Sequence, residues 1–154
     1  MKLTQIFAAA AATMTLATPA MADIMIMDPY ARASSSTAKA GAAFMMIHNT
    51  GDTDDQLLSV SSEIAARTEL HTHMENDDGV MSMVHIEDGF SIPAGGMVHL
   101  MRGGKHVMFM GLTEGMVDGE NFDVTLIFRD AGEITVTIPV DLDRQPEGGH
   151  THNH

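Results

Sequence analysis

Apolar and polar residues alternate with a period of two along most of this chain, and apolar positions rarely recur at helical spacing. Such alternation sends successive side chains to opposite faces of a strand. It predicts strands over residues 23–28 (DIMIMD), 42–49 (AAFMMIHN), 56–62 (QLLSVSS), 80–87 (VMSMVHIE), 97–101 (MVHLM), 105–112 (KHVMFMGL), 122–130 and 133–140. Residues 63–73 (EIAARTELHTH) read as a single helical turn that becomes extended. The small residues of 29–41 read as a loop crossing between sheets, and 50–55 as a turn with an acidic tip. Asp78-Gly79 marks a hairpin, IPAGG (92–96) and RGGK (102–105) mark turns, 114–120 is a loop, and Ala131-Gly132 closes a last hairpin. Eight or nine short strands at this spacing predict an all-β, antiparallel β-sandwich or barrel in one domain, with no internal repeat.

Residues 1–22 break the alternation. Lys2 precedes a modest apolar stretch, and Ala20-Met21-Ala22 is a small-x-small boundary, which together predict a signal peptide removed after Ala22. The apolar run is too short and Ala-rich to span a bilayer, and nothing later in the chain is able to. The expected product begins at Asp23, carries its domain over 23–141 and a flexible His-rich tail over 142–154, and is exported, most simply to a bacterial periplasm. The full chain has a formal net charge of −13, and the leader contributes one Lys and no acid. A surface so acidic makes a poor partner for nucleic acid or anionic membranes.

Composition changes the picture at sulfur. The chain has 15 Met against 6 Phe, 1 Tyr and no Trp, and only Met1, Met14 and Met21 fall in the leader. Methionine packs irregular cores well, but it is also exposed to oxidation outside the cytoplasm, so its abundance suggests a use for the thioether. There is no Cys, hence no disulfide, no thiolate chemistry and no blue-copper ligand set.

The same-face rule groups the donors. His106 and Met108 share a face of their strand, with Val107 and Phe109 on the other. His71 and His73 share a face on one arm of the Asp78-Gly79 hairpin, and Met81 and Met83 share one on the other arm. Neutral imidazole and thioether together suit Cu(I), whereas Zn²⁺ prefers thiolate, imidazole and carboxylate.

Residues 71–112, HTHMENDDGVMSMVHIEDGFSIPAGGMVHLMRGGKHVMFMGL, resemble the core of the PCu(A)C family of periplasmic copper chaperones, and the layout of DPYARASSSTAKAGAAFMMIHNTGDTDDQLLSVSSEIAARTELH is similar as well. The family pattern is a His, a Met about ten residues later, and His-x-Met about twenty residues after that. Matched residue by residue, the resemblance implies a metal site of His71, Met83, His106 and Met108. Met81 shares the face of Met83 and stays an alternative, because the MENDDG loop is about one residue longer than the usual pattern. His73 is an alternative or supporting ligand, and Met110 continues the face beyond the site. The resemblance further implies a cupredoxin-like Greek-key sandwich that carries Cu(I). The implied partner is the apo copper subunit of cytochrome c oxidase, or another assembly chaperone.

In the tail, His150, His152 and His154 offer closely spaced imidazoles for Cu(II). His48, His85 and His99 stand outside the pattern and read as surface or hydrogen-bonded structural histidines, and Met25, Met27, Met45 and Met46 as core or sandwich-edge residues. No Ser/His/Asp triad, paired catalytic carboxylates or phosphate loop is present, so the sequence reads as a non-enzyme. Copper storage or detoxification shares the same site and is the alternative to delivery, and electron transfer by copper is disfavoured by the missing Cys.

Overall fold

The computed structural model describes residues 23–146. The expected leader and the tail histidines His150, His152 and His154 lie outside the described residues. Among those described there is no helix, and ten strands form: β1 Ile24–Ala33, β2 Ala40–Asn49, β3 Asp55–Ser61, β4 Ala65–Glu75, β5 Met81–His85, β6 Phe90–Ile92, β7 Met97–Leu100, β8 His106–Leu112, β9 Asn121–Phe128 and β10 Gly132–Pro139. One sheet runs β1-β2-β8-β4-β5, with β7 also paired to β2, and the other runs β10-β9-β3-β6. The strand pairs are antiparallel, and the two sheets face each other as a single-domain sandwich.

Alternation explains the core. Ala43, Met45 and Ile47 of β2, Val107 and Phe109 of β8, and Val124, Leu126 and Phe128 of β9 all turn inward and are buried. Each large side chain so buried contributes about 1.5–3 kcal/mol relative to exposure. Gly41 sits where Met116 packs across the sheet, since a Cβ there would lie 2.7 Å from the Met116 sulfur. Two buried polar residues are fully occupied. Asn49 donates to the carbonyls of Thr53 and Ile92 and accepts from the Gly51 amide. The Asp55 carboxylate accepts from the amides of Gln56, Asp130 and Ala131, which fastens the β9–β10 turn to β3.

The structure corrects several boundaries. The loop expected over 29–41 is strand as far as Ala33, because β1 passes Pro29 through a bulge at which Asp28 takes φ 50°. Proline is tolerated there because β1 is an edge strand. The helical turn expected at residue 63 is a plain turn that leads directly into β4. β6 escaped the reading because three residues carry too little alternation to register. The tail expected to be free from residue 142 begins on the domain. Arg144 forms a bidentate ion pair with Asp28, lies over the Tyr30 ring at 4.1 Å, and gives its carbonyl to Arg32.

Candidate metal centre

Strand register brings the soft donors together on the outward face of the larger sheet. Because Val107 and Phe109 fill the core, His106, Met108 and Met110 take the other face of β8. Across β8 and β4, His106 stands opposite His71 and Met108 opposite Glu69. Across β4 and β5, His71 stands opposite His85, His73 opposite Met83 and Glu75 opposite Met81. On its other side Met108 faces Ala42 of β2, whose small side chain leaves space above the sheet.

That space is a cavity of about 450 Å³, lined among others by His73, Met83, His106 and Met108. His71 does not line it but stands beside His106, with ring centres 5.8 Å apart. Met81 and Met110 are each one register step away from the cavity. Met110 is engaged elsewhere, since the Arg67 guanidinium lies 3.3 Å from its sulfur.

The two central imidazoles are oriented by hydrogen bonds. His106 Nδ1–H donates to the Gly104 carbonyl at 2.9 Å, which leaves Nε2 with a free lone pair. His71 Nε2–H donates to Glu69 Oε2 at 2.8 Å, which leaves Nδ1 as the acceptor nitrogen. That Nδ1 is buried with no hydrogen-bond partner. A buried polar atom without a partner is costly, and a lone pair held ready by a carboxylate on the far nitrogen is the usual arrangement of a metal-binding histidine. With metal–nitrogen bonds of about 2 Å, two imidazoles on one ion have ring centres up to about 6 Å apart. His71–His106 meets this limit, and so do His73–His106 at 5.4 Å and His71–His85 at 5.7 Å. Ring spacing therefore does not choose among them, whereas the orphaned Nδ1 singles out His71.

Charge around the site is local. Glu69 bridges Arg67, His71 and His85 at 2.9, 2.8 and 3.7 Å. The hydrogen bond from His71 is the main reason its carboxyl titrates below the ordinary 4.5, aided by the charges of His85 and Arg67 and opposed by burial. Burial holds His106 below the ordinary 6.5, helped by the neighbouring His73 and His71 and opposed by the Gly104 carbonyl. The neutral form that binds metal is thus the favoured one. Among the described residues no three His, Cys, Asp or Glu side chains converge as a metal-holding group. The sulfurs of Met83 and Met108 line the cavity beside His73 and His106, and imidazole with thioether is donor chemistry that suits a soft ion.

Two members were missed in the sequence. Glu69 and His85 lie two residues before His71 and two after Met83, so the same alternation that grouped the donors puts them on this face. The reading that left His85 without company is corrected by its place opposite His71. Met45 is core, but Met25, Met27 and Met46 lie on the outward face, with Met25 51% exposed.

The family model described as "Putative lipoprotein LpqE-like" matches residues 24–140. "Putative lipoprotein Lxx21020" of Leifsonia xyli subsp. xyli is 36% identical over 99 residues, covering 64% of this chain and 59% of that protein's length. The solved structure "Copper-bound PCuAC domain from PmoF2" superimposes with a TM-score of 0.63 at 24% identity, over 77% of this chain and 92% of that one, and shares the fold. "Solution structure of CuI-DR1885 from Deinococcus Radiodurans" gives a TM-score of 0.59 at 28% identity, over 78% of this chain and 80% of that one. The sandwich is therefore the cupredoxin-like fold of PCuAC domains.

Proposed function

We propose, from the premise that the chain belongs to the LpqE-like family, that it is an exported copper carrier which binds Cu(I) through His71, Met83, His106 and Met108 and surrenders it to a protein acceptor. The observation that carries this reading is the buried, partnerless Nδ1 of His71 beside His106, whose Nε2 is free at a thioether-lined cavity. The copper-bound PCuAC domain and the CuI-bound DR1885 among the structural neighbours support a copper-chaperone role.

The chemistry suits delivery. Imidazoles fixed by Glu69 and Gly104 give the ion a defined seat. Met83 is 52% exposed on β5, an edge strand. It is the ligand an incoming acceptor meets first, so the ion can pass one bond at a time. Thioethers are neutral and hold Cu(I) less tenaciously than thiolates. The acceptor we assign is the apo dinuclear copper centre of cytochrome c oxidase, with a second assembly chaperone as the intermediary class. Export follows from cleavage after Ala22. No helix among the described residues is long and apolar enough to cross a membrane.

Anaerobic Cu(I) titration against a chromophoric chelator, followed by transfer to an apo oxidase copper domain, tests the reading. One tightly held equivalent that is lost in His71→Ala and His106→Ala and passes to the acceptor is expected. Binding without transfer would move the protein to storage or detoxification. Binding indifferent to both histidines would remove the site.

A further inference from the structure

The methionines that the first site does not use are not scattered. β1 and β7 flank one half of β2, and register aligns their outward residues in two rows. One row is Met27, Met46 and His99, and the next is Met25, His48 and Met97. The inward residues between them, Ile47 and Val98, are buried. Each row therefore presents two thioethers and one imidazole on the outer face of the sheet. Directly opposed residues have Cβ atoms about 4.5–5.5 Å apart, close enough for long thioethers and an imidazole to meet at one ion. Among the described residues His48 and His99 make no side-chain hydrogen bond or ion pair, so their nitrogens are uncommitted.

We infer that this face holds a second soft-metal site, in which Met27, Met46 and His99 bind one monovalent ion of the Cu(I) class. Of the two rows this one is the less exposed. Met46 and His99 also line a cavity of about 120 Å³, and Met101 lines it with them. Thioethers select a soft ion over Zn²⁺, Mg²⁺ or Ca²⁺. Charge points the same way, because Arg102 and Arg144 line that cavity too. Arg144 is neutralised by Asp28, but Arg102 disfavours a divalent cation more than a monovalent one. The site is separate from the first. Tyr30 and Phe44, with ring centres 5.2 Å apart, stand between them, and Phe44 packs on His106 at 6.3 Å. Both sites thus lie on one face of one sheet, with the aromatic pair between them and Arg102 at the border of both cavities.

The test uses the full chain labelled at the methionine ε-methyl groups and titrated with Ag(I), a redox-stable soft probe, while methyl NMR shifts are recorded. The methyls of Met27 and Met46 are expected to move, as a set distinct from Met83 and Met108, and to stay still with Zn(II). In the His106→Ala/Met108→Leu variant the Met27 and Met46 shifts should persist. In Met46→Leu/His99→Gln the Met27 shift should vanish while Met83 and Met108 still respond. Silver that moves Met83 and Met108 but never Met27 or Met46 would overturn the second site and leave the first intact. So would Met27 and Met46 shifts that disappear with the first site. Methyl shifts that follow protein concentration instead of silver would assign the face to self-association and also overturn it.

Discussion

At the residue scale, sulfur atoms of the same chemistry differ only in what surrounds them. Met108 lines the cavity, and Met110, two residues on, is held by Arg67. Met108→Leu conserves volume and should cost less than about 1.5 kcal/mol of fold stability, yet it should weaken Cu(I) binding markedly. Met110→Leu should leave binding near the parent level. Chelator competition on the two variants checks this: no loss from either would show that both sulfurs are packing, and equal losses would make Met110 a ligand as well. A second prediction concerns protons in the apo protein. His106 titrates below 6.5 because it is buried, so the unfolded chain takes up its proton first as pH falls. Stability should be full above 6.5 and decline below it, through the lowered folded value. Glu69, held below 4.5 chiefly by His71, adds a separate loss only at pH below that range. Urea unfolding across about pH 3–7 (a window set by these two groups) should show the upper decline flattened in His106→Gln and the lower one retained.

At the element scale the sequence was most informative where alternation was long. β8, β9 and β10 were legible because five or more residues obeyed the period, β2 as a continuous apolar run, and β4 only in its extended second half. The Asp78-Gly79 turn was legible because Gly79 takes φ 77° and Asn76 Oδ1 caps the amides of Asp78 and Val80. What failed was tertiary. The bulge at Asp28 that carries β1 past Pro29 is stabilised by Arg144, 116 residues away. The rows of Met27–Met46–His99 and Met25–His48–Met97 required knowing that β7 pairs with β2, which no local pattern states. The orphaned Nδ1 of His71 is different: it follows from the local hydrogen bond of its Nε2–H to Glu69, two residues earlier on the same strand. The connection from β5 to β6 gives a test of how tightly such joins are built. Gly89 has φ 74°, and a Cβ there would sit 1.9 Å from the Leu57 carbonyl oxygen. Gly95 has φ 67° with no atom within 4 Å of its Cβ position. Gly89→Ala should therefore destabilise the fold by more than about 1 kcal/mol, and by more than Gly95→Ala. Thermal unfolding of the pair separates collision from backbone strain, and equal losses would mean that the Leu57 carbonyl yields freely.

At the scale of the whole molecule, one face of one sheet collects nearly all the soft donors while the opposite sheet carries none of the chain's methionines on its strands. The chain then leaves the sandwich on the same side. Arg144 is clamped to Asp28 and Tyr30 on β1, and Gln145 and Pro146 line the same cavity as Met46 and His99. His150, His152 and His154 lie outside the described residues, and their donor chemistry differs from that of the domain. Imidazoles without thioethers suit Cu(II), the oxidised ion common outside the cytoplasm. Deleting residues 147–154 should lower Cu(II) uptake, measured by equilibrium dialysis under air, and leave anaerobic Cu(I) binding unchanged, because the domain keeps every thioether. Arg144→Ala in the full chain is the complementary variant. It frees the anchor without removing an imidazole, so Cu(II) uptake should be retained. If truncation instead abolished Cu(I) binding, the imidazoles of the soft site would have to come from the tail, and the assignment of His71 and His106 would fall with it.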